Sequence, residues 1–183
     1  MKPLFTVHGG EYLVGSYIEQ NYGKAKLWIP SRDTGIDLLV TNSQNHCPLS
    51  LQVKFGKDWL VTHMKPEFHE PLRACGWWTI NRDKLSESPA DYWVFVLLGF
   101  KGHSTDFIVM PPEELQKRLT LIHGSQKKMI QSYLWVTETE HCWETRGLPL
   151  DAQRKIADGS YQDSTRNLTK WLNNWSPVAG LND

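Results

Sequence analysis

The sequence contains few cysteines and has no excess of charge of either sign. Three cysteines (Cys47, Cys75 and Cys142) among 183 residues form no CxxC pair, which argues against both a disulfide framework and a zinc knuckle. Lysine plus arginine number 20 and aspartate plus glutamate also number 20, so the formal net charge is zero. A neutral chain gives no global electrostatic reason to expect a nucleic-acid partner, so local chemistry would have to supply one.

Long apolar runs are also missing. No run approaches the roughly 18–20 residues that cross a bilayer, so we expect no membrane partner. Residues 1–8 hold no hydrophobic stretch typical of a secretory signal, and the expected location is therefore the cytoplasm. Hydrophobic residues make up 40% of the chain and charged residues 22%, a balance that excludes disorder and predicts one folded domain.

Hydrophobic periodicity predicts an alternation of helices and strands. The predicted helices cover residues 10–22, a stretch opening at 111–114, 151–157 and 164–175, with a short helix before Asp91. The predicted strands cover residues 25–29, 36–41, 49–55, 92–98, 107–110 and 133–136, and a hairpin joins the second to the third. This order predicts an α/β sandwich with a central mixed sheet and helices on its faces.

An acidic residue lies on the apolar stripe of the first predicted helix. Glu11 precedes Val14 and Ile18 at helical spacing, so its side chain is expected to point inward, where a carboxylate needs a cation or a metal. Gly15, one turn on, would let this helix approach a sheet closely. The alternative for Glu11 is a first-turn acid stabilised by the helix dipole.

Two strand segments carry further polar residues where the pattern favours apolar ones. Asp37 enters the apolar run Ile36–Val40, and Gln52 and Lys54 alternate with apolar residues, so both project from one face of their strand. If the two strands pair, Asp37, Gln52 and Lys54 converge, and we expect this on the face covered by the helix of Glu11. Acid, amide oxygen and lysine together suit metal-assisted hydrolysis of a phosphodiester.

The order of a helix-borne Glu, Gly-x-Asp and Gln-x-Lys resembles the PD-(D/E)XK nuclease superfamily. This is the restriction-endonuclease-like fold that also includes archaeal Holliday-junction resolvases, and the resemblance covers about residues 10–110. It implies an α/β, three-layer sandwich in a single domain, with a nuclease-like core over about 8–140 and a helical C-terminal extension over about 141–183. It also implies a Mg²⁺-dependent endonuclease, with Mn²⁺ as a substitute, acting on duplex or branched DNA as a homodimer.

The resemblance assigns a role to each of the polar residues. Glu11, Asp37, Gln52 and Lys54 would be catalytic. Asp37 would be the central metal ligand, and Gln52, the backbone carbonyl of Val53 and Glu11 would complete the metal site. Lys54 would position the attacking water.

Gln52 departs from the family pattern, which has an acid at this position in most branches. A neutral amide oxygen binds Mg²⁺ less strongly than a carboxylate, so the alternative is a degenerate member of the fold that binds nucleic acid or a protein without cleavage. Asp33 is a further candidate acid, although a turn residue is the simpler interpretation. A structural protein with a merely similar sheet is the remaining alternative.

Basic and aromatic residues supply candidate contacts to DNA. Lys57 and Trp59 follow the Gln-x-Lys strand, and Lys127 and Lys128 form a basic cluster in the last third of the chain. Exposed aromatic rings stack on bases and lysines contact phosphates. Tryptophans are also common core residues, and a basic cluster is also typical of a solvated helix face.

Overall fold

The structure is a computed structural model that describes residues 9–32, 34–56, 65–99 and 104–182. Its helices are α1 (Gly9–Asn21), α2 (Arg82–Ser86), α3 (Pro112–His123), α4 (Leu150–Ala157) and α5 (Ser176–Ala179). Its strands are β1 (Lys26–Trp28), β2 (Leu38–Thr41), β3 (Leu49–Phe55), β4 (Leu72–Asn81), β5 (Tyr92–Leu98), β6 (Thr105–Met110), β7 (Met129–Thr137) and β8 (Cys142–Glu144). Within these ranges, no helix is long and apolar enough to cross a membrane.

A five-stranded mixed sheet forms the centre of the protein. Its strand order is β1-β2-β3-β5-β6, and β1 to β3 form an antiparallel meander. β5 lies parallel to β3, and β6 returns antiparallel to β5. The predicted α/β class with a mixed central sheet is therefore confirmed, as is the hairpin between β2 and β3.

One face of this sheet is covered by α1. Val14 and Ile18 are fully buried there, as the apolar stripe predicts. The close approach of helix to sheet occurs at Gly10, where a Cβ atom would lie 2.6 Å from the Cβ of Phe55. Gly15 was expected to permit this approach, but a Cβ there would meet Leu27 at an ordinary 3.6 Å. The start of α1 is therefore the part of the helix pressed against β3.

The opposite face is covered by a second sheet, which the sequence analysis did not predict. β4, β7 and β8 form this antiparallel sheet, and α3 packs beside it. The core between the two sheets includes Trp93 and Phe95 from β5 and Trp78 from β4. The outer face of the second sheet packs against Ile156 of α4. The layers are thus α1, the central sheet, the second sheet with α3 beside it, and α4. The expected arrangement, with helices on both faces of one sheet, is found only on the side of α1.

The C-terminal region differs from the helical extension that we expected. It begins with β8, and the predicted helix over 164–175 is wrong, because only a single 3₁₀ turn forms at Thr169–Trp171. A side-chain oxygen accepts a backbone N–H group that this helix would use: Asn167 Oδ1 accepts the N–H of Thr169 at 2.9 Å. Such local bonds compete with helix formation.

Candidate active site

Asp37 closes the end of the β2–β3 pair. Its backbone N–H donates to the carbonyl of Leu51 at 2.8 Å, and its Oδ2 accepts the N–H of Val53 at 2.8 Å. The β2–β3 register ends at Leu38, which faces Leu51, so Asp37 lies just before the first paired residue of β2. The carboxylate of Asp37 therefore accepts an N–H of β3 that a backbone carbonyl of a neighbouring strand would otherwise accept.

The backbone carbonyl of Val53 faces the same side. A residue in a strand directs its own N–H and C=O toward the same neighbouring strand. Because the N–H of Val53 is bonded to Asp37, the Val53 carbonyl also points toward the region beyond the first residue of β2. The carboxylate of Asp37 and the carbonyl of Val53 thus lie side by side at one end of the sheet.

Gln52 and Lys54 both line a cleft of about 690 Å³ on the face opposite α1. The ammonium of Lys54 lies over the ring of Trp93, with its Nζ 4.7 Å from the ring centroid. A cation held over an indole face is stabilised by the ring quadrupole. The strand alternation predicted from the sequence therefore holds, because both side chains leave β3 on the side of the cleft.

The wall of the cleft opposite β3 comes from the second sheet. Trp78 is 8% exposed and lines the cleft beside Thr79 and Asn81. Its ring covers the backbone at Gly76 two residues earlier on the same face of β4, and any Cβ at Gly76 would overlap the indole. The cleft thus lies between the central sheet and the second sheet, and it exists only because β4 crosses over the central sheet.

Glu11 lies on the other face of the central sheet. It is 4% exposed in the first turn of α1, and this turn presses against Phe55 and Val53 at the end of β3. The expectation that Gln52 and Lys54 would converge on the face covered by α1 is therefore wrong. The structure brings the start of α1 to the same end of β3, from the opposite side.

The oxygen atoms at this end of the sheet fit a hard divalent cation. Among the described residues, no three His, Cys, Asp or Glu side chains group closely enough to hold a metal ion. A metal here would need oxygens of other kinds, and the Gln52 amide and the Val53 carbonyl are such donors. Mg²⁺ and Mn²⁺ accept carboxylate, amide and carbonyl oxygens and keep several waters. Of these donors, the carboxylate of Asp37 is held by the N–H of Val53.

The structure describes only two of the four residues predicted to contact DNA, Lys127 and Lys128. Lys57, Trp59 and the further acid Asp33 lie outside the described residues. Lys127 and Lys128 lie in the loop between α3 and β7, not on a helix face. Lys128 contacts the carboxylate of Asp83 at 2.7 Å, and this hydrogen bond raises the pKa of Lys128 above its ordinary value. Lys127 instead lines a second cavity, described below.

Two cations near the site were missed by the sequence analysis. Lys84 lines the cleft from α2, and Arg146 lines the second cavity from the segment after β8. Asn81 caps α2 by accepting the N–H groups of Asp83 and Lys84, so a capping residue marked the start of that helix in the sequence. No local signal marks Arg146, because tertiary structure alone brings it to the cavity.

Compared with known protein families, curated proteins and solved structures, the chain matches none.

Proposed function

We propose that the protein is a metal-dependent endonuclease that hydrolyses DNA phosphodiester bonds, with a restriction-endonuclease-like core. The observation that carries this proposal is the bond between Asp37 and Val53. This bond orients a carboxylate beside the backbone of Val53. The residues on either side of Val53, Gln52 and Lys54, line the cleft. The element order also supports it, because α1, the β1–β3 meander, α2 and the buried strands β5 and β6 come in the order that the resemblance implies, with β4 as an additional strand before α2.

The proposed metal site consists of Asp37, Gln52 and the carbonyl of Val53. When bound, Mg²⁺ would polarise the phosphate and lower the pKa of a bound water. Glu11 stays a predicted additional ligand, which would approach from the face covered by α1. Asp37 is held by the N–H of Val53, so its carboxylate is oriented before any ligand arrives, and little reorganisation is needed.

Lys54 acts on the water and on the phosphate. Its position over Trp93 limits where the ammonium can lie, so that it donates hydrogen bonds into the cleft toward the reacting group. The water oxygen forms a new bond to phosphorus as the bond to the 3′-oxygen breaks. The leaving 3′-oxygen ends as a hydroxyl, and the products carry a 5′-phosphate and a 3′-hydroxyl. The ammonium of Lys54 offsets the negative charge that develops on the phosphate.

A second candidate function is a DNA-binding member of the same fold without cleavage. The observation in its favour is that the described residues contain no group of three His, Cys, Asp or Glu side chains that could hold a metal ion. In this alternative, Gln52 and Lys54 contact DNA as a hydrogen-bonding and a charged group, and Asp37 serves only to close the β2–β3 pair.

Cleavage of supercoiled, linear and branched DNA with Mg²⁺ or Mn²⁺ tests the proposal. The test variants are Asp37→Asn, which keeps an oxygen for Val53, and Lys54→Met, which keeps the apolar stem over Trp93. The matched controls are Asp151→Asn and Lys155→Met, both exposed on α4 beyond the second sheet. We expect cleavage to fall at least about 100-fold in the test variants, the size typical of losing a charged catalytic group, and to persist in the controls. Equal cleavage by all five proteins, or none by the wild type, contradicts the proposal.

A further inference from the structure

A second cavity adjoins the cleft. It has a volume of about 380 Å³ and shares the residues Thr79 and Met129 with the cleft. We call it the basic pocket, and its other lining residues are His123, Lys127, Ile130, Gln131 and Arg146. The two cavities therefore adjoin at Thr79 and Met129.

The charge of the two cavities is unlike that of the whole protein. The chain carries 20 basic and 20 acidic residues, not counting histidine. The described lining residues of the two cavities include Lys54, Lys84, Lys127 and Arg146, and one acid, Glu87. Positive charge is therefore concentrated along this one groove, and a neutral composition conceals it. A groove lined by one sign of charge concentrates ligands of the opposite sign.

Arg146 of the basic pocket is held in place by uncharged side chains of the described residues. The guanidinium of Arg146 lies 5.4 Å from the ring centroid of Trp77 and donates to Gln131 at 2.8 Å. Its planar fork suits bidentate bonding to a phosphate. None of the ion pairs in the described part of the chain involves Arg146 or Lys127, whereas the adjacent Lys128 is paired with Asp83.

The loop that carries Lys127 is held in place by hydrogen bonds from Arg82 of α2. Arg82 donates to the carbonyl of Lys127 at 2.7 Å and to the hydroxyl of Thr120 at 2.9 Å. It also donates to the carbonyl of Gly124, the residue that ends α3. One arginine therefore ties the loop to α3 and fixes the backbone at Lys127. A fixed backbone lowers the entropy lost when the lysine binds a ligand.

We propose that the basic pocket binds a backbone phosphate of the DNA strand whose neighbouring phosphodiester lies at Asp37 and Lys54. This inference rests on the proposed function, since it extends the path of the same substrate. Lys127 and Arg146 contact the phosphate, and the strand runs from the cleft past Thr79 and Met129 into the basic pocket.

Binding measured without cleavage separates this inference from the nuclease proposal. The probe is a short, labelled DNA duplex, and its affinity is measured in Ca²⁺ by fluorescence anisotropy over a series of salt concentrations. The variants are Lys127→Met, Arg146→Gln and the pair together, with Lys155→Met as the matched control. We expect each single variant to lose about tenfold in affinity and to lower the slope of log affinity against log salt by about one.

A charge-conserving variant shows whether the effect is electrostatic. Arg146→Lys keeps the positive charge and is expected to keep the wild-type salt slope, whereas a merely structural role predicts the same loss as Arg146→Gln. The inference is wrong if the Lys127→Met and Arg146→Gln variants bind DNA with the affinity and slope of the control. If they lose affinity while no protein cleaves DNA, the basic pocket stands and the nuclease proposal fails.

Discussion

The carboxylate of Asp37 accepts the backbone N–H of Val53 at 2.8 Å, and this bond joins the two strands at the candidate site. The same residue is thus both a hydrogen-bonding partner of β3 and the central acid of the proposed metal site. One carboxylate thus has a structural role, as the acceptor of the Val53 N–H, and a proposed role as a metal ligand. Substitutions of Asp37 and Gln52 test the two roles separately.

The structural role predicts different stabilities for two substitutions of Asp37. Asp37→Ala leaves the N–H of Val53 without an acceptor, and we expect it to lower the free energy of unfolding by about 1–3 kcal/mol. Asp37→Asn retains an acceptor oxygen and is expected to stay within about 0.5 kcal/mol of the wild type, as a substitution that keeps the contact does. Urea denaturation measures both. Equal stability of the alanine variant and the wild type would show that the bond contributes nothing.

The ligand role predicts that a second carboxylate at position 52 strengthens metal binding. Gln52 lines the cleft next to Val53, whose N–H is bonded to Asp37, so Gln52→Glu adds a charge where the metal is expected. We expect Mn²⁺ to bind about tenfold more tightly, which corresponds to about 1.4 kcal/mol. Calorimetric titration checks this. Unchanged or weaker Mn²⁺ binding by the Gln52→Glu variant argues that the metal is held elsewhere.

A buried ion pair between the two sheets predicts a large loss of stability away from the site. Asp106 is 3% exposed, and it accepts from Arg73 at 2.7 and 3.0 Å and from Asn173 at 2.9 Å. We expect Asp106→Ala to lower the free energy of unfolding by about 3–5 kcal/mol, because it leaves the Arg73 guanidinium without its buried partner.

The other partner of Arg73 provides the matched control. Glu140 contacts Arg73 at 3.2 Å, but its side chain is 76% exposed. Water screens such a pair, so Glu140→Ala is expected to cost about 0–1 kcal/mol. Urea denaturation of both variants at one pH gives the comparison, and similar losses in the two would contradict the assigned difference in burial.

The three cysteines differ in reactivity. Cys47 is exposed, whereas Cys75 and Cys142 are buried. Burial, followed by the nearby carboxylates of Asp106 and Glu144, raises the pKa of the Cys142 thiol above its ordinary value. A buried, protonated thiol is a poor nucleophile. Alkylation of the folded protein, followed by mass spectrometry, is expected to label Cys47 alone, and rapid labelling of Cys142 would contradict its placement.

The same thiol predicts a loss of stability in alkaline solution. Because the folded state raises the pKa of Cys142, the unfolded state releases this proton first as the pH rises. The contribution of Cys142 is therefore fully present below the unfolded-state pKa and is lost as the pH rises toward the folded-state value. We expect the urea midpoint to fall less between neutral and alkaline pH in Cys142→Ala than in the wild type, and an identical fall in both would contradict this.

Much of the central sheet could be predicted because its signals are local. Tyr92–Leu98 is one continuous apolar run, and β5 has these bounds because both of its faces are covered. β4 lacks such a signal: it is also covered on both faces, but Arg73, Gly76 and Asn81 interrupt its apolar residues. Neither a continuous run nor an alternation of period two was present to mark it.

The two parts of the proposed DNA-binding groove differ in the same way. Gln52 and Lys54 were predicted to share a face because alternation within one strand fixes it. Arg146 and Lys127 line the same pocket because β8 folds back along β7, with Glu144 opposite Leu134. No spacing in the sequence reports that register. Local alternation therefore places Gln52 and Lys54 on one face of their strand, but tertiary structure is needed to show which face this is and to reveal the basic pocket.

Direct observation of the metal tests the central claim most sharply. Crystals of the protein grown with Mn²⁺ would show the ion by its anomalous scattering. We predict a peak at the end of β3, about 2.0–2.5 Å from a carboxylate oxygen of Asp37, the amide oxygen of Gln52 and the carbonyl oxygen of Val53, and no such peak in Asp37→Ala. A wild-type map with Mn²⁺ bound only elsewhere, or with no ion among these three residues, would contradict the account.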